Sequence, residues 1–397
     1  YERFIERSNG IFGKSGTGKT FLTRLVLASI IQKSNAQRDP RKKAVNLVFD
    51  MHNEYGWEGR YEGSSGRVKG LKQILGASVA VFTLDEESSR RRRAAVDGVI
   101  EIGYGDVEAA DIAVLRETLN ITPNAVEACW ALERRFKKGW FQRALSLDTD
   151  DEEDQRLLKE LNIHEATVIN LRRGLERLRR HAFFVPERRS TSVDALVSHL
   201  TGTGPHSTAF RPGKSVVLEF GRYGNDLAAY MLVANVLTRR IHEEWRKASE
   251  ASMSDGAQEP HHLMIAIEEA HKFLNKEVAG QTIFGEIARE MRKYNVTLLV
   301  IDQRPSSIDE EVMSQIGTKI TCLLDNERDV DAVLSGVSGR GELKSVLARL
   351  ESKQQALIFG HAVPMPVVVR TEEYGTEASY ARFREQLTGS ARDLYPE

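Results

Sequence analysis

Gly13–Thr20 reads GKSGTGKT, a pattern of Gly, four residues and then Gly-Lys-Thr. In a loop of this kind the glycines let consecutive backbone N–H groups point at phosphate oxygens. The lysine reaches the outer phosphates, and the hydroxyl of the last residue binds Mg²⁺. The pattern therefore predicts a nucleotide-binding loop in which Lys19 and Thr20 are the two functional side chains.

The flanking residues have the order that a phosphate-binding loop requires. Ile11 and Phe12 end a short apolar stretch before the loop, and a helix is predicted over Phe21–Lys33 after it. The positive N-terminal end of that helix would face the phosphates. We assign to nucleotide binding the residues Gly13, Ser15, Gly16, Thr17, Gly18, Lys19, Thr20 and Phe21. The alternative is an ordinary glycine-rich turn, which needs neither a strand before it nor a helix after it.

Length and composition are those of an ordinary globular protein. The chain has 397 residues, 41% apolar and 28% charged, which suggests two or three domains. Its 56 Lys and Arg against 57 Asp and Glu give a net charge of -1, so a polyanion would have to bind a local basic patch. The two cysteines, Cys129 and Cys322, fit a reducing compartment. No apolar run is long enough for a membrane span, and we expect a cytoplasmic protein without membrane attachment.

Short apolar runs alternate with helical segments along most of the chain. Strands are predicted at 45–50, 79–84, 216–220, 263–267, 296–302, 319–324 and 356–359. Later helices are predicted at 227–247, 282–293 and 329–335. Nearly continuous apolar runs are typical of strands in a sheet that helices cover on both faces. The sequence therefore predicts an α/β fold of the phosphate-loop (P-loop) NTPase class.

A segment of different composition interrupts these alternating elements. From about Arg90 to Ser190 charges are frequent, strand signals are few and leucines recur at helical spacing. We therefore predict a first core part, an inserted helical subdomain and a second core part with the C-terminal segment, at 1–89, 90–200 and 201–397. Asp148–Asp154 is predicted to form an acidic loop, and Ala248–Pro260 a flexible surface loop.

Two carboxylates close a predicted buried strand. The strand at 263–267 is followed directly by Glu268 and Glu269. Because neighbouring side chains of a strand point to opposite faces, Glu268 can face a metal ion while Glu269 turns toward water. We assign Glu268 to Mg²⁺ through its water shell and Glu269 as the general base of hydrolysis. The first acid is more usually Asp, and the alternative is a pair of surface acids after a core strand.

A glutamine follows the next predicted strand. The strand at 296–302 leads into Gln303, beside the strand that carries the two acids. A polar side chain in this place can sense the γ-phosphate, and we add Gln303 to the catalytic set. The alternative is a turn residue, which is common at the end of a strand.

Together these pieces resemble the HerA family within the HerA/FtsK group of hexameric DNA-pumping ATPases. The matching motifs are GKSGTGKT at Gly13–Thr20, VFDMHNEY at Val48–Tyr55, IEEAHKFL at Ile267–Leu274, AREMRKYNVTLLVIDQRPSSI at Ala288–Ile308, and the closing Ala356–Arg370. The resemblance covers most of the chain except the helical insert. It implies a RecA/FtsK-like sheet and the cofactors ATP and Mg²⁺. It also implies a small β-barrel domain ahead of the phosphate loop, which we expect to be missing from a sequence that begins at Tyr1.

The resemblance also adds site residues. Asp50 and Glu54 would lie near the nucleotide and tune the metal or the water, although turns and helix caps use the same residue types. Arg292, with Arg289 as second choice, would reach the neighbouring subunit's nucleotide and offset the charge that develops in phosphoryl transfer. A solvated basic helix face is the alternative for each arginine. His271 is interpreted as a structural residue.

The activity implied by the resemblance is that of an ATPase in a homo-hexameric ring that translocates on or unwinds double-stranded DNA without sequence preference. Similar proteins work with a nuclease (NurA-like) in DNA end processing, or with a sirtuin-like or other effector in antiphage defence. Basic clusters at 90–93, 134–138 and 172–180 are candidates for DNA contact, or else solvated helix faces. The main alternative is a nucleotide-gated ring scaffold that regulates an effector without obligatory translocation. A conjugation or secretion ATPase of the same wider group is a third possibility.

Overall fold

The computed structural model of the chain describes residues 1–60, 67–188, 192–204, 207, 210–211, 213–254, 258–280, 282–337, 339–372 and 374–388. The strands within these residues are β1 (Asn9–Phe12), β2 (Ala44–Asp50), β3 (Gly59–Arg60), β4 (Arg67–Val68), β5 (Val79–Thr83), β6 (Gly98–Val99), β7 (Ile102–Gly103), β8 (Phe184–Val185), β9 (Ser215–Glu219), β10 (His262–Glu268), β11 (Val296–Asp302), β12 (Thr318–Thr321), β13 (Gln355–Gly360) and β14 (Val367–Arg370).

The α-helices within the same residues are α1 (Glu2–Ile5), α2 (Lys19–Ala36), α3 (Leu71–Leu75), α4 (Glu86–Arg91), α5 (Ala109–Val114), α6 (Arg116–Leu119), α7 (Pro123–Phe136), α8 (Trp140–Ser146), α9 (Glu152–Glu160), α10 (Glu165–Arg179), α11 (Ser192–Thr201), α12 (Leu227–Ser254), α13 (His271–Leu274), α14 (Ile283–Glu290), α15 (Glu310–Gln315), α16 (Glu327–Val333), α17 (Arg340–Leu347) and α18 (Glu377–Thr388). Short 3-10 turns occur at Pro40–Lys42, Gly76–Ser78, Tyr104–Asp106, Lys137–Gly139, Gly221–Asn225, Met291–Tyr294 and Pro305–Ser307. In the part of the chain described, no helix combines the length and apolar content that a membrane crossing needs.

One ten-stranded sheet forms the centre of the fold, in the order β14-β13-β12-β1-β11-β10-β2-β9-β5-β6. The strands from β12 to β6 run parallel to their neighbours, and β13 and β14 add an antiparallel edge. Every residue of β2, β5, β9 and β11 is buried, as expected of strands whose two faces are both covered. All seven predicted strands are present, with ends displaced by no more than three residues.

Helices cover the sheet on both faces, which confirms the predicted α/β architecture. Alternate residues of β2 enter different apolar clusters, Leu47 and Phe49 on one face and Val48 on the other. The cluster around Val48 is completed by side chains from α1, α2, α3 and α18. The cluster around Phe49 is completed by side chains from the helices α5 to α17. The helical insert therefore packs onto one face of the sheet and shares its apolar core.

Within the described residues of the predicted insert, 90–200, the chain forms the helices α5 to α10, most of α11 and the end of α4. Two short parallel strands, β7 and β8, pair where the chain enters and leaves the group α5 to α10. Just before them β6 pairs with β5 and extends the central sheet. The division of the chain into three domains stays a prediction.

Two predicted loops are wrong in part. The helix α12 continues to Ser254, because Trp245, Ala248 and Ser249 are buried at helical spacing, so the surface loop predicted at 248–260 does not begin at 248. Residues 255–257 lie outside the described ranges. The predicted acidic loop at 148–154 ends early, because Asp151 accepts the backbone N–H groups of residues 153 and 154 and caps α9.

The register of the sheet brings the carboxyl ends of its central strands to one edge. Phe12 of β1 pairs with Asp302 of β11, and Glu268 of β10 pairs with the residue before Asp302. Farther along, Asp50 of β2 pairs with Glu219 of β9. Ligands of open parallel sheets bind outside the carboxyl ends of the strands. The fold thus places the phosphate loop, which follows β1, on the same edge as a row of acidic side chains.

Candidate active site

The phosphate loop joins β1 to α2 and is held by one of its own carbonyl groups. The carbonyl oxygen of Lys14 accepts hydrogen bonds from Thr17 Oγ1 at 2.8 Å and from Lys19 Nζ at 3.0 Å. Burial lowers the pKa of the Lys19 ammonium. The lysine that would bind phosphate is therefore partly withdrawn from water and uses a backbone acceptor of the loop.

Three glycines of the loop are required for different reasons. Gly16 and Gly18 have φ of +79° and +87°, a conformation that glycine adopts without steric cost. A Cβ at Gly13 would lie only 2.7 Å from the Cβ of Cys322 on the neighbouring segment. The first glycine is therefore needed for packing, and the other two for the turn around the phosphates.

A cavity of about 1010 Å³ extends from this loop. Its lining comes from the loop with the start of α2, from the carboxyl ends of the neighbouring strands, and from segments near the C-terminus. The predicted site residues on the lining are Ser15, Gly16, Thr17, Gly18, Lys19, Thr20, Phe21, Glu54, Glu268, Glu269 and Gln303. Of the other predicted residues that the structure describes, Gly13, Asp50 and Arg289 do not line the cavity.

Thr20 is hydrogen bonded to an acid at the end of the second strand. Its Oγ1 donates to Glu54 Oε2 at 2.9 Å. The backbone at Glu54 is fixed by Asp50, whose carboxylate accepts the N–H groups of residues 54, 55 and 56 at 2.7, 2.8 and 3.2 Å. Burial, and then the neighbouring Glu219, raises the pKa of Asp50 to about 7. Asp50 thus has the contacts of a turn cap, whereas Glu54 reaches the cavity.

Glu268 ends β10 with a side chain that is only 8% exposed. Its Oε1 accepts a hydrogen bond from the Tyr55 hydroxyl at 2.7 Å, and its backbone carbonyl accepts one from Tyr230 at 3.0 Å. Its Oε2 is buried and has no hydrogen-bond partner among the described residues. Burial, and then the nearby Asp50 carboxylate, raises the pKa of Glu268 to about 8. A buried oxygen without a partner, in the same cavity as the Thr20 hydroxyl, fits the oxygen ligands that Mg²⁺ takes.

Glu269 leaves the strand with a left-handed backbone, φ +47°. Its Oε1 accepts a hydrogen bond from Gln303 Nε2 at 3.0 Å, and its Oε2 lies 3.7 Å from Nδ1 of His271. A residue with a Cβ adopts this backbone at a cost of about 1–2 kcal/mol, and such strain is concentrated at functional sites. The proposed base and the proposed phosphate sensor are therefore in direct contact.

Asp302, which was not selected from the sequence, holds His271 in place. Its carboxylate accepts the backbone N–H of His271 at 2.7 Å and lies 2.9 Å from His271 Nδ1. It also accepts the backbone N–H of Arg304 at 2.7 Å. Possible metal-ligand atoms of Glu269, His271 and Asp302 lie within 4.8 Å of one another, but those of His271 and Asp302 bond to each other. The sequence contained one indication of this role, because Asp302 is an acid at the end of a buried strand, β11, which pairs with β1.

The two candidates for a trans-acting arginine belong to α14 and the turn after it. Arg289 Nη2 donates to the carbonyl of Ala279 at 2.9 Å, and its Nη1 lies 3.7 Å from Glu311. Arg292 belongs to the 3-10 turn Met291–Tyr294, and its side chain lies outside the described part of the structure. The choice between the two arginines stays a prediction.

The first basic cluster is largely ion-paired within the chain, and the cluster at 172–180 is bonded within the chain in part. In the first, Arg90, Arg91 and Arg92 pair with acids of this chain, which are Glu86, Glu87 and the buried Glu219. In the cluster at 172–180, three arginines bond to the carbonyls of Leu147 and Leu119 and to Glu176. No carboxylate among the described residues forms an ion pair with the cluster at 134–138. This last cluster is therefore the one best suited to a polyanion.

A mostly parallel sheet, a glycine loop between β1 and α2, and acids at the end of β10 define a P-loop NTPase. Solved structures share the fold. VirB4 of Thermoanaerobacter pseudethanolicus superposes with a TM-score of 0.51 at 12% identity, over 94% of this chain and 91% of VirB4. The bacterial conjugative coupling protein TrwB gives 0.57 at 12% identity, over 94% and 87%. TrwB has also been solved with a non-hydrolysable ATP analogue, with a TM-score of 0.55 at 11% identity, over 94% and 88%.

The family described as "Helicase HerA, central domain" matches residues 1–241, and the chain belongs to this family, as its motifs predicted. The DNA double-strand break repair helicase HerA of Pyrococcus furiosus is 40% identical over 111 residues, 27% of this chain and 20% of that protein. The protein of the same name from Sulfolobus acidocaldarius is 30% identical over 188 residues, 47% of this chain and 35% of that protein. The chain thus matches well under two thirds of the length of these relatives.

Proposed function

We propose that this chain is the ATP-hydrolysing core of a homo-hexameric ring motor that translocates on or unwinds double-stranded DNA without sequence preference. The observation that carries the proposal is that one cavity contains Lys19 and Thr20 of the loop together with Glu269 and Gln303. Phosphoryl transfer to water needs a phosphate cradle, a metal and a positioned base. The names of the HerA relatives, DNA double-strand break repair helicases, support DNA as the partner.

The phosphate loop would bind the triphosphate, and Lys19 would offset the charge of its outer phosphates. To do so, Lys19 has to exchange the carbonyl of Lys14, to which it donates in the structure, for a phosphate oxygen. Thr20 and Glu268 would hold Mg²⁺, with Glu54 beside the Thr20 hydroxyl. The bound metal would neutralise charge on the β- and γ-phosphates.

Glu269 would accept the proton of the attacking water. The Gln303 amide has two N–H groups, and one of them bonds to Glu269 in the structure. The second can donate to a γ-phosphate oxygen, so that a single side chain would connect the phosphate to the base. The contact between Gln303 and the base is thus already formed, and a bound triphosphate would add the second one.

The neighbouring subunit would supply an arginine, Arg292 or as second choice Arg289. The Lys and Arg side chains on the described lining of the cavity are Lys19, Arg67 and Lys353, and Arg67 is paired with Glu58. Arg289 does not line the cavity of its own chain, which fits action on the nucleotide of a neighbouring subunit, as in other phosphoryl-transfer enzymes that use an arginine finger. In the cytoplasm the ring would act with a partner, a NurA-like nuclease in DNA end processing or a sirtuin-like or other effector in antiphage defence.

A second candidate function is a nucleotide-gated ring scaffold that regulates an effector without obligatory translocation. It is favoured by the internal pairing of the clusters at 90–93 and 172–180, which leaves less basic surface for DNA. The two candidates differ in one measurement. A motor hydrolyses ATP faster when double-stranded DNA is added and displaces a bound roadblock, whereas a scaffold assembles with its partner and shows little stimulation by DNA.

The variant Glu269→Gln tests the proposed chemistry. It removes the basic carboxylate and keeps the shape, so we expect nucleotide binding to persist while turnover falls by about 10²–10⁴-fold. Lys19→Ala should lose binding itself, and Glu342→Gln, an exposed acid on α17, serves as the matched control with normal turnover. Normal turnover in Glu269→Gln would contradict the assignment of the base.

A further inference from the structure

The cavity has a second wall, which the proposed chemistry does not use. We call it the C-terminal wall; it consists of Lys353, Gln354, Gln355, Thr371, Glu372, Tyr374, Gly375 and Thr376. Its two segments are joined by a hydrogen bond from the backbone N–H of Thr371 to the carbonyl of Gln354, at 2.7 Å. With a volume of about 1010 Å³, the cavity is large enough for a complete nucleotide.

The backbone of the C-terminal wall is strained at Gln354, where φ is +63°. Four of the eight described non-glycine residues with positive φ are asparagines, which tolerate this conformation. Among all eight, the two that line the cavity are Glu269 and Gln354. Strained residues are concentrated at ligand sites, where the surrounding structure holds them. Gln354 is thus marked as a site residue by the same criterion as the proposed base.

A fixed pair of aromatic rings lies where α2 meets the C-terminal wall. The rings of Phe21 and Tyr374 are stacked, with centroids 5.9 Å apart and planes at 28°. The guanidinium of Arg24, which is fully buried, lies 5.6 and 5.4 Å from the two ring centroids. The Tyr374 hydroxyl also donates to the carbonyl of Lys69 at 2.9 Å. These contacts fix both rings before any ligand binds, which lowers the entropic cost of binding.

The position of the ring pair relative to the phosphate loop indicates its ligand. Phe21 directly follows Thr20, the last residue of the loop, and both side chains line the same cavity. A nucleotide whose phosphates occupy the loop therefore carries its base and sugar past Phe21 toward the C-terminal wall. Aromatic side chains suit nucleobases because every base has an apolar π-face.

We propose that the C-terminal wall, together with Phe21, is the nucleoside subsite of this protein. The base packs against the Phe21–Tyr374 pair, and the polar side chains of Gln354 and Thr376 face the base and sugar. This inference rests on the proposed function, because it takes the ligand of the loop to be a nucleotide. It assigns base and sugar recognition to the subunit that holds the phosphates, whereas the catalytic arginine comes from the next subunit.

The test compares ADP with inorganic pyrophosphate, each titrated calorimetrically into the full chain with Mg²⁺. Neither ligand has a γ-phosphate to be hydrolysed, and pyrophosphate lacks the nucleoside. We expect Tyr374→Ala and Gln354→Gly each to weaken ADP binding about tenfold, within the range measured for a lost base contact, and to leave pyrophosphate affinity unchanged within about twofold. Gln354→Gly is compatible with the backbone at φ +63°, so it remains informative if Tyr374→Ala does not fold.

Asn162→Gly is the matched control, because Asn162 is exposed, has the same left-handed backbone as Gln354 (φ +54°) and lies outside the cavity; it should bind ADP like the wild type. Equal losses of ADP and pyrophosphate affinity would overturn the inference, since the wall would then only support the loop. Unchanged ADP affinity in both variants would overturn it as well. If the wild-type protein bound neither ligand, the proposed function itself would fail, and this result is distinct from the other two.

Discussion

Replacing Tyr55 with phenylalanine removes the hydroxyl that donates a hydrogen bond to the carboxylate of Glu268. Tyr55 is fully buried, and its hydroxyl donates to Glu268 Oε1 at 2.7 Å. Because Oε2 of Glu268 has no partner among the described residues, the variant would leave both oxygens of a buried carboxylate without a donor. A hydrogen bond to a charged group contributes about 1.5–3 kcal/mol. We expect Tyr55→Phe to lose about this much free energy of unfolding when Glu268 is ionised.

Tyr230→Phe provides a control of the same shape and burial. Tyr230 is also fully buried, but its hydroxyl donates to the backbone carbonyl of Glu268, at 3.0 Å. A hydrogen bond to a neutral acceptor of this kind contributes about 0.5–1.5 kcal/mol to the free energy of unfolding. The two variants should therefore differ by about 1–2 kcal/mol, although each removes one hydroxyl beside the same residue.

The assay is urea denaturation of the metal-free protein at pH 9 and at pH 6. The pKa of Glu268 is raised to about 8, so the folded state favours the protonated acid and loses stability as the pH rises toward that value. The Tyr55 hydrogen bond stabilises the ionised form, and its removal raises the pKa further. The gap between the two variants should therefore be small at pH 6 and larger at pH 9, where Glu268 is mostly ionised in the wild type but still partly protonated in Tyr55→Phe. Equal losses at pH 9, or a Tyr55→Phe protein as stable as the wild type, would refute the reasoning.

Three further predictions test other parts of the molecule. Lys319 is 4% exposed, its Nζ donates to the carbonyl of Val333 at 2.8 Å, and burial lowers its pKa to about 8. Lys319→Met should therefore be about 1–3 kcal/mol more stable than the wild type at pH 7 by denaturation. That gap should close as the pH rises from 8 toward 10.5, because the unfolded lysine then binds more protons than the folded one. Arg292→Ala should keep nucleotide binding and lose hydrolysis, and mixing it with Lys19→Ala should restore activity; no recovery in mixed rings would argue against action between subunits. The double variant Lys137→Glu, Lys138→Glu should weaken binding to double-stranded DNA and reduce the salt dependence of that binding. Fluorescence anisotropy at several salt concentrations measures both. Arg90→Glu should have less effect, because Arg90 is already paired with Glu86.

The fold and the phosphate half of the site follow from local patterns in the sequence. Buried parallel strands appear as short apolar runs, so their positions are visible without any knowledge of their neighbours. The carboxyl ends of such strands meet at one edge of the sheet, and this geometry is sufficient to bring Glu269 and Gln303 to the loop. The C-terminal end of α12 was harder to predict from the sequence, because it depends on which residues of the last turns are buried by the rest of the fold.

The rest of the site depends on contacts between distant parts of the chain. Tyr55 and Glu268 are 213 residues apart, and nothing near either one indicates the other. The same holds for Phe21 and Tyr374, which lie near opposite ends of the chain and meet in one apolar cluster. A run of arginines is equally uninformative about its partners, since Arg92 pairs with a buried acid that lies 127 residues away. Composition predicts where charge is dense, but only packing determines which charges are paired.

The row of acids at the sheet edge shows why such pairing matters for function. Burying a carboxylate is costly unless a cation or several N–H groups compensate its charge. Glu219 has the guanidinium of Arg92, and Asp50 has three backbone N–H groups. Asp302 has two backbone N–H groups and the ring of His271. Each of these acids thus has charged or backbone donors within the chain, although Oε1 of Glu219 has no partner among the described residues and the pKa of Asp50 is still raised to about 7.

Glu268 differs from its neighbours in the row. Within the described residues its carboxylate has a single donor, the neutral hydroxyl of Tyr55, and its second oxygen has none. Two acids of this row, Glu268 and Asp302, line the cavity. The carboxylate of Asp302 already accepts two backbone N–H groups. Glu268 is therefore the cavity-lining acid of this row with the fewest donors, and a divalent cation held by Thr20 would offset its charge. On the proposed function, an acid that is costly to the chain alone would favour binding of the metal; burial and then the nearby Asp50 carboxylate raise the pKa of this acid.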